Sequence, residues 1–506
     1  MSYVYATRLS LTAARRQLGD LQRRAFALRH AAGALDFDAA TLAPPGNRAA
    51  RARSVNALSR AELELVSSAE GIRLLDYLYE HASELTPQER RSVQLLRRSG
   101  SILRHVQLEE YLSYRKLANE TAAMWAAAHS RGDFSMLEPW LGRLFAAAKH
   151  IALSVEPDRP PFDFWLDWNE EGLTGERCEA LLNRLCGLVA PLYERALELP
   201  EPDTSMLGIR VSPLRQQRVA HANMDALGVD SMRCRLAVSE RPFTAAFSKY
   251  DVRICTRYIP ESFTTSLYGV MHECGHALYE LNTDDGLQFT CLGTGASTGA
   301  HECSARFYEN IIGRSMAWTE HMWPVLTENI PELGDYSPRE LFRAVNAVRR
   351  TPLRTQADEA GYCLHIVLRF EIERSLFDGG IGIHDAPALW NELTRRYLYC
   401  EARSDAEGIL QDSHWCSGQF GYFPSYALGS AAAAQLLALM RRDIDVDGAL
   451  RSGNTGSINE WMRARLWHSG ALYTPGELME SALGGEIDVK YYADYLAERM
   501  REVYEV

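Results

Sequence analysis

Two histidines four residues apart, with a glutamate directly after the first, form the stretch His272-Glu273-Cys274-Gly275-His276. Leu267, Val270, Met271, Leu278 and Leu281 recur around it at helical spacing, so the two imidazoles lie one above the other on one face of a helix. Two such rings can take adjacent corners of a zinc tetrahedron, and Glu273 then lies beside the open corner where water binds. The pattern carries two ligands and a general base together.

A catalytic zinc needs a third protein ligand. Downstream, the flexible glycine-rich loop of residues 293–299 runs into residues 300–312, which read as a second helix. Glu302, near its start, offers a carboxylate that could reach back to the metal, and His301 beside it competes for the same role.

The elements that must position these groups are mostly helical. Residues from about 7 to 155 read as long amphipathic helices, at 9–35, 49–67, 71–81 and 87–113 and beyond, rich in Ala, Leu, Arg and Glu. They are broken at Leu42-Ala43-Pro44-Pro45-Gly46 and again at Pro157-Asp158-Arg159-Pro160-Pro161. Strand-like alternation is confined to about 241–259, where Val252, Ile254 and Thr256 alternate with Arg253, Cys255 and Arg257. A small sheet is therefore expected immediately before the zinc helix, with helices resuming after it. We read the chain as one mainly α catalytic unit over 1–506, with an N-terminal helical subregion at 1–155 and the zinc and substrate subregion at 156–506.

Composition removes several function classes. With 46% hydrophobic and 24% charged residues the chain is globular rather than disordered. A net charge of -12 argues against nucleic acid and against an anionic membrane surface. The ten cysteines form no C-x-x-C pair, which points to reduced thiols in a cytosol. Arg8, Arg15 and Arg16 interrupt the apolar runs of residues 1–20, so no secretory h-region is expected there, and no run of about eighteen apolar residues is read anywhere.

Further segments carry a family resemblance. They are Asp251-Val252-Arg253-Ile254, His272 to His276, His301-Glu302, Leu353-Arg354-Thr355-Gln356-Ala357-Asp358-Glu359, Gly408-Ile409-Leu410-Gln411-Asp412-Ser413-His414-Trp415 and Phe420-Gly421-Tyr422-Phe423-Pro424-Ser425-Tyr426-Ala427-Leu428-Gly429. Weaker matches are Phe37-Asp38 with residues 43–46, and residues 487–495. With these the chain resembles the carboxypeptidase Taq (thermostable carboxypeptidase) family of zinc metallocarboxypeptidases over nearly its whole length.

That resemblance implies a mostly helical zincin with a deep active-site groove, a small sheet beside the metal, a homodimer, and removal of single residues from peptides with a free C-terminus. It also implies Glu302 as the third ligand with His272 and His276, with zinc replaceable by cobalt or manganese at the same donors. An exopeptidase must hold the free carboxylate with a fixed cation. Arg354 is the candidate, with Tyr426 as hydroxyl partner and Asp251 and Arg253 as further substrate-binding residues. His414 and Tyr422 are candidates to donate hydrogen bonds to the tetrahedral oxyanion. Each has a plainer rival: Arg354 with Asp358 as a surface helix pair, Tyr422 and Tyr426 as packing aromatics, and Asp412 as a residue that only orients its neighbours.

The chain departs from the family pattern at Arg241, where a histidine is usual before Pro242-Phe243, at Cys255 in place of threonine, and at Cys303-Ser304 after Glu302. An added guanidinium near the groove predicts tolerance of acidic C-terminal residues. Cys274 and Cys303 flank the metal-binding residues, which makes them candidates for thiol-sensitive inactivation or, more simply, small buried residues. Three functions remain open: a zinc carboxypeptidase, a zinc oligo-endopeptidase on a related scaffold, and a non-catalytic binding protein that keeps the metal. An intact Glu273 argues against the last, because a structural zinc needs no base.

Overall fold

Apolar residues recurring every third or fourth position drive most of this chain into helices, and the computed structural model, which describes residues 9–506, is built almost wholly from them. Arg8, one of the arginines read as interrupting the N-terminal apolar runs, lies outside the described residues. The first helix, Leu11–Thr41, runs past its expected end until Leu42 and the proline pair stop it. The stretch expected as one helix at 87–113 is broken into Pro87–Ser99, Ser101–His105 and Leu108–Arg131. Gly100 packs so closely on Val66 that a Cβ there would lie 3.3 Å from Val66 Cγ2, and Val106 and Gln107 are extended. Helical composition alone hid both breaks.

The expected sheet is present and has one strand more than its sequence shows. Strands β1 (Cys234–Val238), β2 (Phe243–Ser248) and β3 (Asp251–Thr256) are ordered β1-β3-β2, with β1 parallel and β2 antiparallel to β3. Thr244 lies opposite Ile254 and Arg253 opposite Ala245. The short β1 escaped reading because Cys234 is its one fully buried position and Val238 is exposed.

Two buried cores follow the chain. The N-terminal helices enclose a small one, from Ala14 and Leu18 to Val93 and Leu96. The large one begins at Ile102 and continues to Leu496. A third small cluster, Phe37, Phe247 and Cys255, joins the first helix to the sheet. The helix Phe423–Asp443 is long and apolar enough to cross a membrane by length and composition, though Ser425, Ser430 and Gln435 interrupt its apolar run. Its residues are mostly packed inside the large core.

Candidate active site

The motif helix Phe263–Leu281 is buried nearly all round, with His272 and His276 among its few partly open positions. Gly275 lets a second helix, Thr298–Arg306, come into backbone contact with it. A Cβ at Gly275 would lie 2.6 Å from Ala305 Cα and 2.6 Å from the Ser304 carbonyl oxygen. On the other side, a Cβ at Gly429 would lie 2.7 Å from Glu302 Cβ. The glutamate helix is thus clamped between two helices at positions only glycine allows. Ser304 Oγ locks the joint, donating to the Gly275 carbonyl at 2.6 Å and accepting from Trp467 Nε1 at 3.1 Å.

The clamp brings one donor atom each from His272, His276 and Glu302 within 4.8 Å of one another. Glu302 Oε2 is buried without a hydrogen-bond partner, 3.9 Å from His272 Nε2. A buried carboxylate oxygen without a hydrogen-bond partner is costly, and a cation shared with the two rings would satisfy it. Burial, then the neighbouring His272, His301 and Arg306 charges, hold the His276 pKa well below its ordinary value, which keeps a lone pair free for a metal. These residues fit a divalent ion.

The surroundings fix the rings. His272 Nδ1 lies 2.9 Å from Glu309 Oε2, which turns Nε2 toward the triad. Although burial opposes it, the carboxylates of Glu309 and Glu302 push the His272 pKa up to about 9. Glu309 is in turn bound by Arg306 at 3.2 Å and faced by Arg314 at 3.8 Å; against burial, Arg306, His272 and Arg314 hold it down to about 2. Glu309 sits on a π-helical turn, Phe307–Ile312, where the helix expected to be continuous widens. No motif in the sequence marked it. His301, the competing ligand, has its Nε2 engaged 2.9 Å from Glu280 Oε1, and Glu280 also accepts from Thr294 Oγ1 at 2.6 Å.

Glu273 points from the motif helix to strand β2. Thr244 Oγ1 donates to Glu273 Oε2 at 2.6 Å, a partner the sequence did not indicate. Burial, opposed chiefly by the His272 charge, pushes the Glu273 pKa up to about 7, close to where a group can both take and return a proton at neutral pH.

A second cluster gathers around Arg354. It is buried, and Asp358 is not its partner: Asp358 caps the helix Glu359–Asp378, accepting from Ala360 and Gly361 N at 3.0 Å each. Arg354 Nη2 instead lies 2.7 Å from Asp412 Oδ1, and Nη1 donates to Tyr362 Oη at 2.8 Å. The other Asp412 oxygen accepts from Arg369 Nε at 2.7 Å. Burial notwithstanding, the two guanidinium groups hold Asp412 far below the usual carboxylate range. Arg369 and Tyr362 come from one buried helix and had no spacing to betray them.

His414 and the tyrosines stand between the clusters. His414 Nε2 is 3.4 Å from Tyr426 Oη, and its ring lies 5.5 Å from that of Tyr422. Burial, then Arg354, Arg369 and Arg241, hold the His414 pKa down to about 3 against the pull of Asp412, so its imidazole is neutral. Arg306 links the halves: its Nε is 4.0 Å from Glu302 Oε2 and its guanidinium lies over the rings of Tyr362, at 4.0 Å, and Tyr426, at 5.6 Å.

Asp251 and Arg253 are not brought to this group. Strand alternation puts Val252 and Ile254 toward the motif helix and Arg253 on the other face, where it pairs with Asp251 at 2.7 Å and lies over Phe247 at 4.7 Å and Phe37 at 5.2 Å. Cys274 and Cys303 are fully buried and burial pushes both thiols up, so they are packing residues with little thiolate character.

The sequence profile described as "Carboxypeptidase Taq (M32) metallopeptidase" matches residues 17–500. The chain belongs to this family. Carboxypeptidase 1 of Bacillus subtilis is 33% identical over 488 residues, covering 96% of this chain and 97% of that protein. Thermostable carboxypeptidase 1 of Pyrococcus furiosus is 34% identical over 487 residues, covering 94% and 96%. The crystal structure of the M32 carboxypeptidase from Deinococcus radiodurans superposes with a TM-score of 0.93 at 29% identity, over 97% of this chain and 100% of that one. Family membership makes this a metallopeptidase of carboxypeptidase type that acts on peptides and uses a divalent metal, and the helical fold with its small sheet is the family's fold.

Proposed function

We propose that the chain is a zinc carboxypeptidase that releases single residues from free peptide C-termini, with His272, His276 and Glu302 holding the metal. The observation that carries this reading is Glu302 Oε2, buried without a hydrogen-bond partner beside His272 and His276, with Glu273 following His272 in the chain and feeling the charges of both His272 and Glu302. Zinc held there supplies a Lewis acid for the scissile carbonyl and lowers the pKa of water to roughly 7. Cobalt or manganese would suit the same donors.

The side chains do the rest. Glu273, aimed by Thr244, takes the proton of the attacking water and returns it to the leaving amine. Arg354, held rigid by Asp412 and Tyr362, receives the terminal carboxylate, with Tyr426 as hydroxyl partner. The neutral His414 and the Tyr422 hydroxyl donate to the developing oxyanion. Asp251 and Arg253, on the other face of the sheet, would meet only the part of a peptide that extends past the metal toward the first helix. The same reading places the enzyme as a homodimer in the cytosol; the ten free thiols favour a reducing compartment, and the dimer rests on the family likeness.

The test is to follow by mass the products from one unblocked peptide and from its C-terminal amide. Stepwise loss of single residues from the free acid alone is expected. Internal cuts in both peptides would overturn the exopeptidase reading in favour of an endopeptidase, and no cleavage by the zinc-loaded protein would favour a binding protein.

A further inference from the structure

The Arg354 cluster holds more positive than negative charge. Asp412 is shared between Arg354 and Arg369, one carboxylate for two guanidinium groups. A third guanidinium approaches from the turn between β1 and β2. Arg241 Nη1 donates to Ser413 Oγ at 3.0 Å, and Ser413 lies between Asp412 and His414 in the chain. The Arg241 side chain also lies over the ring of Trp125, with its guanidinium carbon 5.0 Å from the ring centroid. Two contacts from different elements therefore hold this exposed arginine in one place at the rim of the Arg354 cluster, and its hydrogen-bond partner there is a neutral hydroxyl.

Charge counting then sets what the pocket accepts. Three arginines face one aspartate and a neutral histidine. The terminal carboxylate of a peptide matches one of the two excess charges, and one cation remains without a counter-ion. Building on the carboxypeptidase reading above, we infer that Arg241 determines specificity: it selects peptides whose C-terminal residue is itself acidic, pairing with the side-chain carboxylate while Arg354 takes the main-chain one. A terminal lysine or arginine would instead bring a fourth cation to the rim and be disfavoured.

The test compares three peptides that differ only in their last residue, Glu, Gln or Leu, by kcat/KM. Wild type is expected to favour Glu over its isostere Gln. Arg241→Gln keeps a hydrogen-bond donor and loses the charge, so the Glu:Gln ratio should fall about fivefold while the Leu peptide stays within about twofold. Arg241→Lys should retain most of the preference, and Arg241→Glu should reverse it toward a terminal Lys. An unchanged Glu:Gln ratio in Arg241→Gln, with the Leu peptide still processed, would overturn the inference and leave the carboxypeptidase reading intact. Equal loss on all three peptides would overturn it too, marking Arg241 as structural. Failure of wild type to shorten any of the peptides would sink the carboxypeptidase reading and this inference together.

Discussion

The His272–His276–Glu302 triad and the Arg354 cluster are built on opposite imbalances. Around the triad, Glu302 and Glu273 face two histidines while Glu309 is taken up by Arg306 and Arg314, and one Glu302 oxygen is left buried without a hydrogen-bond partner. Around Arg354, two buried arginines share one aspartate, and a third arginine stands at the rim. Each half is short of charge of the sign the other has in excess, and under the proposed function a single peptide with its metal would supply both. Preorganised charge of this kind is the usual source of catalytic and binding power in a site closed to water.

Removing the triad carboxylate should have the largest effect. Glu302→Ala is expected to lose bound zinc and to cut kcat/KM by at least about a thousandfold; metal analysis beside the assay separates this from misfolding, and full zinc content in the variant would break the metal half of the comparison. The matching change in the other half is Asp412→Ala, which leaves two buried guanidinium groups facing each other. It should cost about 3–5 kcal/mol of stability, read as a lower unfolding midpoint, and a midpoint close to wild type would show that Asp412 does not balance the pocket.

Smaller changes sharpen the picture. Glu309→Gln should weaken zinc affinity by about 10–100-fold through a less firmly oriented His272, measured by competition with a chelator, while terminal-residue preference stays as it was. Thr244→Val removes the hydroxyl that aims Glu273. Its expected signature is a drop of roughly tenfold in kcat with KM and zinc content unchanged, restored by Thr244→Ser; a change in KM alone would place Thr244 in substrate binding instead.

The two halves also differ in how far they could be read from the chain. His272, Glu273 and His276 lie on one helical turn, so local spacing named them; it offered Glu302 on the next helix beside His301, and family likeness favoured Glu302. What brings them together, Gly275 and Gly429 pressed against the glutamate helix, is a property of packing that no periodicity displays. The Arg354 half draws on residues 354, 362, 369 and 412–426, scattered over three segments. Arg354, His414 and Tyr426 were named through family likeness, while Arg369 and Tyr362 stand on a helix buried on every side and carry no polar face to mark them. Asp251 and Arg253 show the reverse relation between motif and place. Their motif is conspicuous in the sequence, and the strand alternation turns them away from the triad toward Phe37.

The most direct measurement is a crystal structure of the zinc-loaded Glu273→Gln variant with a tripeptide bearing a free C-terminus. The account predicts one zinc between His272, His276 and Glu302, the last peptide carbonyl beside it, and the terminal carboxylate on Arg354. A peptide running past the metal with its C-terminus away from Arg354, or zinc bound elsewhere, would contradict it.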